Sequence, residues 1–506
     1  MKKIAFILMS LLLVACGDFD EINTNPDTTT SVTPEFLATS IIYNMTASSS
    51  NKAFLNDSWV MKSTGYTELM ENYMYNKFDR YGFGGYSLLI SADKMLTIAE
   101  ADNSRKDSEL NAFRGINMFA QAYIFYNETM ALGDVPCSEA LKGETEGLFT
   151  PKYDTQEEVF YIVLKDLEKA SDYFSKATSF RGDFIYNGDP DKWMRTVNSF
   201  TLRVLSMLNK KATVKDISVQ QMFETFAQKP LIENEDASFA RTYSSKSGQW
   251  YPFYYEQNMF WMYPVMSSFL VDMMKGLNDY RLFYYAEPAE ALASKPENSF
   301  EAYSGVDPVM ENGKAQAECT EGKHSAVNRR YHRIASGEPI KTIAYSEVQF
   351  ILAEAALNGW KTPQSAKQHY ENGVKSAMMF TADYTPVDYR NGITIDEAYI
   401  DSYLQGTAAF NTSEPKNVLM EKIFNQKYIA SFWQLAWNSY YDYRRTGFPK
   451  LPINPETNMN EVKTQMPLRW MYAESEYSVN RVNIEEAIQR QFGGNDTPND
   501  VMWLLK

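Results

Sequence analysis

The chain has 506 residues, with 64 acidic and 49 basic side chains and a formal net charge of −15. So negative a protein is repelled by a phosphate backbone and by an anionic lipid surface, which excludes nucleic acid as an expected partner. The length allows a large buried core in one large domain or in about three smaller ones.

The first residues are typical of an export signal. Lys2 and Lys3 precede an apolar stretch over residues 4–14, which is shorter than the roughly 20 residues that a membrane-spanning helix needs. The following "LVAC" matches the lipobox of bacterial lipoproteins, and we expect residues 1–15 to be removed and Cys16 to carry the lipid anchor. An ordinary secretory signal with a chance cysteine is the alternative.

Amphipathic helices follow in the first half of the chain. Apolar residues at steps of three or four predict one helix that ends before Gly133 and another that begins after Thr155. Thr155 and Glu158 have the spacing of a capping box. A third helix is predicted in "DKWMRTVNSFTLRVLSMLNK", behind a turn in which Asp189 and Asp191 favour an Asx turn over a calcium site.

The second half predicts an antiparallel helix pair. One apolar stripe runs from Ala344 to Ala356, a turn covers residues 359–363, and a second stripe runs from Ala366 to Met378. Small residues on facing stripes allow the close packing of tetratricopeptide-type hairpins. A further continuous helix is predicted through "NVLMEKIFNQKYIASFWQLAWNSYYDYRR", ending at Gly447.

Three long segments lack helical periodicity and are rich in aromatic residues. They cover residues 71–87, 244–268 and about 286–340. Loops of this length inside a folded domain are uncommon and usually functional. The sequence therefore predicts a helical body that carries long insertions.

Ordered blocks along the chain resemble the SusD/RagB group of nutrient-binding outer-membrane lipoproteins of Bacteroidetes, in its SusD-like, starch-binding-associated branch. The blocks include "CGDFDEINTNPD", "GDVPCSEAL", "GDFIYNGDPDKWMRTVNSFTLRV", "EVQFILAEAALNGW", "YYDYRRTGFPKL" and "PLRWMYAESEYSVN". Each block alone is weak evidence, but the blocks occur together in this order behind a lipobox, and the resemblance covers nearly the whole mature chain.

The resemblance implies an all-α dominated fold of tetratricopeptide-like hairpins in a single domain over residues 16–506, with a ligand-facing, loop-rich region at about 230–340. It also implies a lipid-anchored protein on the extracellular side of the outer membrane. Such a protein captures a glycan or an oligopeptide for a SusC-like TonB-dependent transporter, without catalysis and without a cofactor.

Ligand capture needs rings that stack and polar groups that hydrogen-bond hydroxyls or amides. The resemblance places ligand contacts by region only, in the N-terminal quarter and in the middle loops. For each aromatic ring in these regions, packing in the core or at an interface is the alternative. The candidates in these regions are Tyr73, Tyr75, Asn76, Phe78, Asp79, Arg80, Tyr81, Trp250, Tyr254, Tyr255, Asn258, Trp261 and Tyr263.

Two arginine-rich runs have competing interpretations. "NRRYHR" at 328–333 is suited to an anionic sugar or a peptide carboxylate, although a salt-bridged face is the more common role. In "YYDYRRTG" we expect Asp442, Arg444 and Arg445 to be buried or half-buried and paired with backbone and carboxylate groups, with contacts to an anionic ligand as the alternative.

Cysteine and histidine are too sparse to suggest a disulfide framework or a metal site. Cys137 and Cys319 are expected to be unpaired, buried thiols, with one disulfide as the alternative. Three histidines occur, none in an H-E-x-x-H pattern, so no metal is predicted.

Two other functions compete with ligand capture. One is a structural or gating lipoprotein of the transporter complex that has no ligand of its own. The other is a glycoside hydrolase, which needs only two suitably spaced carboxylates and therefore has no short sequence motif by which it could be excluded.

Overall fold

A computed structural model of the protein describes residues 32–506. The predicted signal peptide and the predicted anchor at Cys16 lie outside the described residues. The described chain is predominantly helical, as predicted. No helix within it is apolar over enough length to cross a bilayer.

The helices are Pro34–Met45 (α1), Asn56–Val60 (α2), Tyr86–Ala101 (α3), Asp107–Leu132 (α4), Lys142–Glu146 (α5), Gln156–Ser175 (α6), Pro190–Met207 (α7), Val219–Ala227 (α8), Ser268–Leu277 (α9), Leu282–Tyr285 (α10), Asn312–Thr320 (α11), Arg330–Arg333 (α12), Tyr345–Leu357 (α13), Ala366–Asp383 (α14), Glu397–Gln405 (α15), Lys416–Ala430 (α16), Asn438–Thr446 (α17), Glu476–Val479 (α18) and Arg481–Phe492 (α19). The strands are Thr64–Tyr66 (β1), Arg80–Tyr81 (β2), Thr213–Val214 (β3), Ile217–Ser218 (β4), Phe239–Arg241 (β5), Pro264–Met266 (β6), Ile340–Ile343 (β7) and Met471–Tyr472 (β8).

The described strands form two-stranded sheets, and all of these except the local β3–β4 pair join distant parts of the chain. β1 pairs antiparallel with β6, β3 with β4 and β5 with β7, whereas β2 pairs in parallel with β8. The β1–β6 pair brings the first aromatic-rich loop to the middle one, with Tyr66 opposite Pro264. The sheets therefore fix the loops on the helical body.

The long helices form a continuous packed series: α1, α3, α4, α6, α7, α13, α14 and α16 each contact the next. Two glycines allow close approach inside the helix pairs. A Cβ at Gly115 of α4 would lie 2.8 Å from the ring of Phe174, and one at Gly373 of α14 would lie 2.9 Å from Phe350.

Cap residues begin the helices where the sequence predicts. Thr155 and Glu158 form the reciprocal capping box of α6, and Asp189 caps α7 by accepting from the backbone N–H of Asp191 and Lys192. The Asx interpretation of that turn is therefore confirmed. The predicted helix pair is present as α13 and α14, with Phe350 packed on Tyr370 and Gln349 bonded to His369.

The predicted continuous helix from 417 to 445 is wrong, because the chain leaves the helix between α16 and α17. Trp433, Leu435 and Trp437 adopt left-handed φ angles of 55°, 52° and 66°. Each left-handed non-glycine residue costs about 1–2 kcal/mol, so tertiary contacts must offset this cost. We call residues 431–437 the helix break.

Tertiary hydrogen bonds hold the helix break. The Gln434 side chain accepts from the N–H of Lys341 in β7 at 2.8 Å and donates to Glu338 at 2.7 Å. The backbone N–H of Leu435 donates to the Lys341 carbonyl at 3.3 Å. The break therefore docks on the strand that leads into α13.

Helix α13 is buried throughout from Ser346 to Ala355 and carries two carboxylates into the core. Glu347 pairs with Arg203 of α7, whose Nε lies 2.7 Å from Oε1. Glu354 pairs with Arg445 of α17, which also binds Asp442 at 2.6 Å. The expected buried pairing in "YYDYRRTG" is confirmed for this network.

Both cysteines of the described chain are free, as predicted. Cys137 is buried, but Cys319 is partly exposed, so the expectation of two buried thiols holds for the first only. Burial raises the pKa of Cys319 to about 11 and that of Cys137 well above its usual value.

Replacement of Arg203 tests the buried pairing. Arg203→Met leaves the Glu347 carboxylate in the core without its cation, and we expect the free energy of unfolding to fall by about 3–5 kcal/mol in chemical denaturation. The control, Arg481→Met, removes a guanidinium that pairs with Glu485 and is 71% exposed, and it should cost less than about 1 kcal/mol. Equal losses in the two variants would contradict a structural role for the buried pair.

Candidate ligand-binding surface

The middle aromatic loop is fixed by backbone hydrogen bonds to α12 and to the segment that follows it. The N–H of Tyr251 donates to the carbonyl of Ala335 at 2.7 Å, and the N–H of Tyr255 donates to that of His332 at 3.0 Å. Two segments about eighty residues apart in the chain therefore lie side by side. Their exposed side chains form one surface.

Buried rings hold the loop on the body from below. Phe253 packs against Trp433 of the helix break, with ring centroids 4.7 Å apart, and against Phe54 at 5.3 Å. Tyr251 lies directly under Gly337, whose φ is +47° and where a Cβ would lie 2.3 Å from the tyrosine ring. Glycine is required at this close approach.

An internal ion pair fixes α12. The Arg330 guanidinium is 2.6 Å from Glu338 and donates to the Tyr284 carbonyl at 3.0 Å. Glu338 in turn accepts from Gln434 of the helix break. Arg330 is thus a core residue, and its pairing holds the short helix that also carries His332 and Arg333.

Partly exposed rings line up along the joined segments. We define the aromatic surface as Trp250, Tyr254, Tyr255, Trp261 and His332. Centroid distances are 5.5 Å between the first and second rings, 4.8 Å between the second and third, and 4.3 Å between the stacked Trp261 and His332. The Arg333 guanidinium lies 5.4 Å from the rings of both Tyr255 and Trp261 and bridges the two groups.

Charged groups of both signs border the aromatic surface. The hydroxyls of Tyr254 and Tyr255 donate to Glu256 at 3.3 and 2.9 Å, and the bond to Glu256 raises the pKa of Tyr255 to about 12. Beside Trp261, burial and then the Arg333 and Arg329 charges lower the pKa of His332 to about 4. His332 is therefore neutral at pH 7, and Arg333 supplies the positive charge.

Two predicted residues of the middle loop lie beneath the aromatic surface or beside it. Asn258 is fully buried, with its amide donating to the carbonyls of Pro252 and Asn51. Its predicted ligand contact is corrected to a structural role, because a surface ligand cannot reach it. Tyr263 is partly exposed and packs on Tyr66 at 5.5 Å, next to β6.

The first aromatic loop mainly packs against the C-terminal segments. Phe78 is buried 4.5 Å from Trp470, and Tyr75 is buried with its hydroxyl bonded to the Met310 carbonyl at 2.8 Å. Asn76 is buried between the Lys62 ammonium and Asn458. The predicted ligand contacts of these three residues are corrected to structural ones, since their side chains are inside.

The other candidates of the first loop keep some exposure. Tyr73 and Tyr81 are partly exposed and contact Trp470, the first through its hydroxyl at 3.0 Å. Asp79 accepts from Asn72, and Arg80 pairs with Glu474 and Asp496. Their ligand role stays a prediction, and Tyr73, Asp79 and Arg80 already have polar partners inside the fold.

His332 and Arg333 lie at the aromatic surface, whereas the sequence favours a salt-bridged face for their run. The sequence signal for these two residues is the run "RYHR", which forms a short helix with one side facing the core and the other facing solvent. That face is salt-bridged at Arg329, which lies near Glu287, and at Arg330, while Arg333 is exposed. Within residues 32–506, no group of three His, Cys, Asp or Glu side chains is arranged to hold a metal.

Comparison with known proteins gives a family and a set of similar structures. The family model for SusD-like proteins, described as starch-binding and associating with the outer membrane, matches residues 26–473. No curated protein matches the sequence.

Solved structures share the fold. A SusD homolog from Bacteroides fragilis is 39% identical with a TM-score of 0.89, over 94% of this chain and 100% of that one. A second homolog from the same species is 30% identical with a TM-score of 0.82 at the same coverage. A chitin-binding SusD homolog from Flavobacterium johnsoniae, 18% identical, has a TM-score of 0.71 over 94% of this chain and 98% of that one.

Substitution of Gly337 tests the anchoring of the loop. Gly337→Ala adds a Cβ that overlaps the Tyr251 ring, and we expect it to displace the loop and to lower the melting temperature. The control, Gly359→Ala, introduces alanine at a φ of +84° with no atom within 4 Å, so it carries only the backbone cost of about 1–2 kcal/mol. Limited proteolysis at residues 244–263 should increase for the first variant alone; equal cleavage would contradict the anchor.

Proposed function

The chain belongs to the SusD-like family of starch-binding proteins that associate with the outer membrane, and from this premise we propose that it captures a glycan at the aromatic surface. An oligopeptide is the second ligand class. We further propose that the captured nutrient passes to a SusC-like TonB-dependent transporter. Nutrient binding itself follows from the family, and the site and the delivery step are the proposal.

The row of partly exposed rings is the observation that carries this function. Sugar rings present C–H faces that stack on aromatic side chains, and their hydroxyls need nearby polar groups. Trp250, Tyr254 and Trp261 supply ring surface, while Tyr255 adds a hydroxyl and is 37% exposed. The loop is pre-organised by buried anchors, so little conformational entropy is lost when a ligand binds.

Capture near a membrane requires attachment, which we propose occurs through lipid on Cys16. The lipobox "LVAC" and the family's outer-membrane association support this proposal. Several acyl chains make a stable anchor where a single chain gives only marginal binding. We place the anchored protein on the extracellular side, where nutrients arrive.

Binding is favoured over hydrolysis by the acidic groups at the site. A glycosidase uses two carboxyl groups about 5–9.5 Å apart across the scissile bond. Among the described residues of the aromatic surface and the side chains hydrogen-bonded to it, Glu256 is the one residue that has a carboxylate. The surface is thus suited to holding a sugar chain intact.

Removal of the tryptophans tests the site. Trp250→Ala and Trp261→Ala should each weaken oligosaccharide binding by about 1 kcal/mol or more, roughly fivefold in Kd, because each loses a stacking surface. Isothermal titration calorimetry with neutral and acidic oligosaccharides and with peptides measures the effect. Chromatography of the same mixtures shows whether the ligand stays intact.

Phe149→Ala is the matched control, since this ring is 80% exposed on another segment. It should leave Kd unchanged. Binding that survives both tryptophan replacements would move the site elsewhere, and a panel without any ligand would favour the structural or gating role. Release of shortened sugars would favour the hydrolase.

The transporter partnership predicts a specific co-purification. Tagged full-length protein, extracted in mild detergent from outer membranes of its own host, should retain a SusC-like transporter identified by mass spectrometry. The Cys16→Ala variant should be lost from the membrane fraction, because its anchor is missing. Wild-type protein that purifies without any TonB-dependent transporter would contradict the delivery step.

A further inference from the structure

Arg333 differs from the other cations of its segment. Arg330 is paired with Glu338 in the core and Arg329 lies 3.8 Å from Glu287. Arg333 is exposed, and no carboxylate of residues 32–506 lies within 4.0 Å of its guanidinium nitrogens. In a chain with a net charge of −15, acidic side chains are abundant, yet within residues 32–506 this guanidinium forms no ion pair or hydrogen bond and lies near two rings.

The rings hold the guanidinium at the aromatic surface. It lies 5.4 Å from the centroids of Tyr255 and Trp261, close enough for a cation–π contact with each. Such contacts fix the position of the charge but leave its N–H donors without acceptors. The guanidinium fork matches a carboxylate in a bidentate geometry, which a neutral hydroxyl cannot reproduce.

We propose that the ligand of the aromatic surface is an acidic glycan, in which the carboxylate of a uronic acid pairs with Arg333 while sugar rings stack on the neighbouring aromatic side chains. This inference rests on the proposed function and names its substrate class. The rings and the family favour a sugar over a peptide as the carrier of the carboxylate.

Glu256 restricts how many acidic sugars can bind to the surface. Its carboxylate is held by the hydroxyls of Tyr254 and Tyr255 and repels a second anion near those hydroxyls. The preferred chain therefore carries an isolated uronic acid among neutral sugars. A continuous polyuronide binds less well.

The probes for this proposal are glucuronoxylan fragments with one uronic acid and the same fragments after chemical reduction of the carboxyl group to a neutral hydroxymethyl group. We expect calorimetry to show about tenfold tighter binding of the acidic form by wild-type protein. The difference should shrink as salt is raised, since the pairing is ionic.

Substitutions assign the effect to one residue. Arg333→Gln should abolish the preference for the acidic form, so that the acidic and reduced forms bind with equal Kd. Arg329→Gln, the matched control beside it, should keep the preference. Glu256→Gln should tighten binding of oligogalacturonate severalfold, because the repulsion beside the Tyr254 and Tyr255 hydroxyls is removed.

The outcomes separate this inference from the proposed function. Binding of neutral oligosaccharides with no preference for acidic ones, or a preference that Arg333→Gln leaves intact, overturns the inference alone. Failure of every glycan to bind overturns both. Binding of acidic peptides in place of glycans, lost in Arg333→Gln, would assign the carboxylate to a peptide and overturn the glycan class.

Discussion

Two buried carboxylates on one buried helix hold the structure together. Glu347 and Glu354 lie on α13, and each meets an arginine from another part of the chain, Arg203 from α7 and Arg445 from α17. A buried charge without its partner is strongly unfavourable, so these pairs admit only the arrangement in which all three helices are docked. The two halves of the helical series are joined at this point.

The same region positions the aromatic surface. Asn438 at the start of α17 donates to Glu347 at 3.3 Å, and the helix break immediately before it carries Trp433 and Gln434. Trp433 supports the middle loop through Phe253, while Gln434 reaches α12 through Glu338. The exposed rings therefore rest on contacts that lead back to the core of the helical body.

Much of the fold could be predicted from the sequence, because helices are recognised by the spacing of their apolar residues and by their capping residues, as at Thr155. The helix break could not, because apolar residues continue at helical spacing through Phe432 and Leu435, and only tertiary bonds to β7 explain the left-handed turns. The candidate site was predicted by region alone. Tyr75 and Tyr255 look alike in sequence, yet one is 4% and the other 37% exposed, a difference set by distant packing partners.

The middle loop is attached to the body through main-chain hydrogen bonds and buried rings, and its outward side chains take little part in that attachment. The outward-facing side chains can therefore change during evolution while the residues that anchor the loop stay the same. A few substitutions in this loop and in one short helix could then change the ligand specificity. Duplicated copies of such a gene would diverge first in what they hold, and last in how they fold.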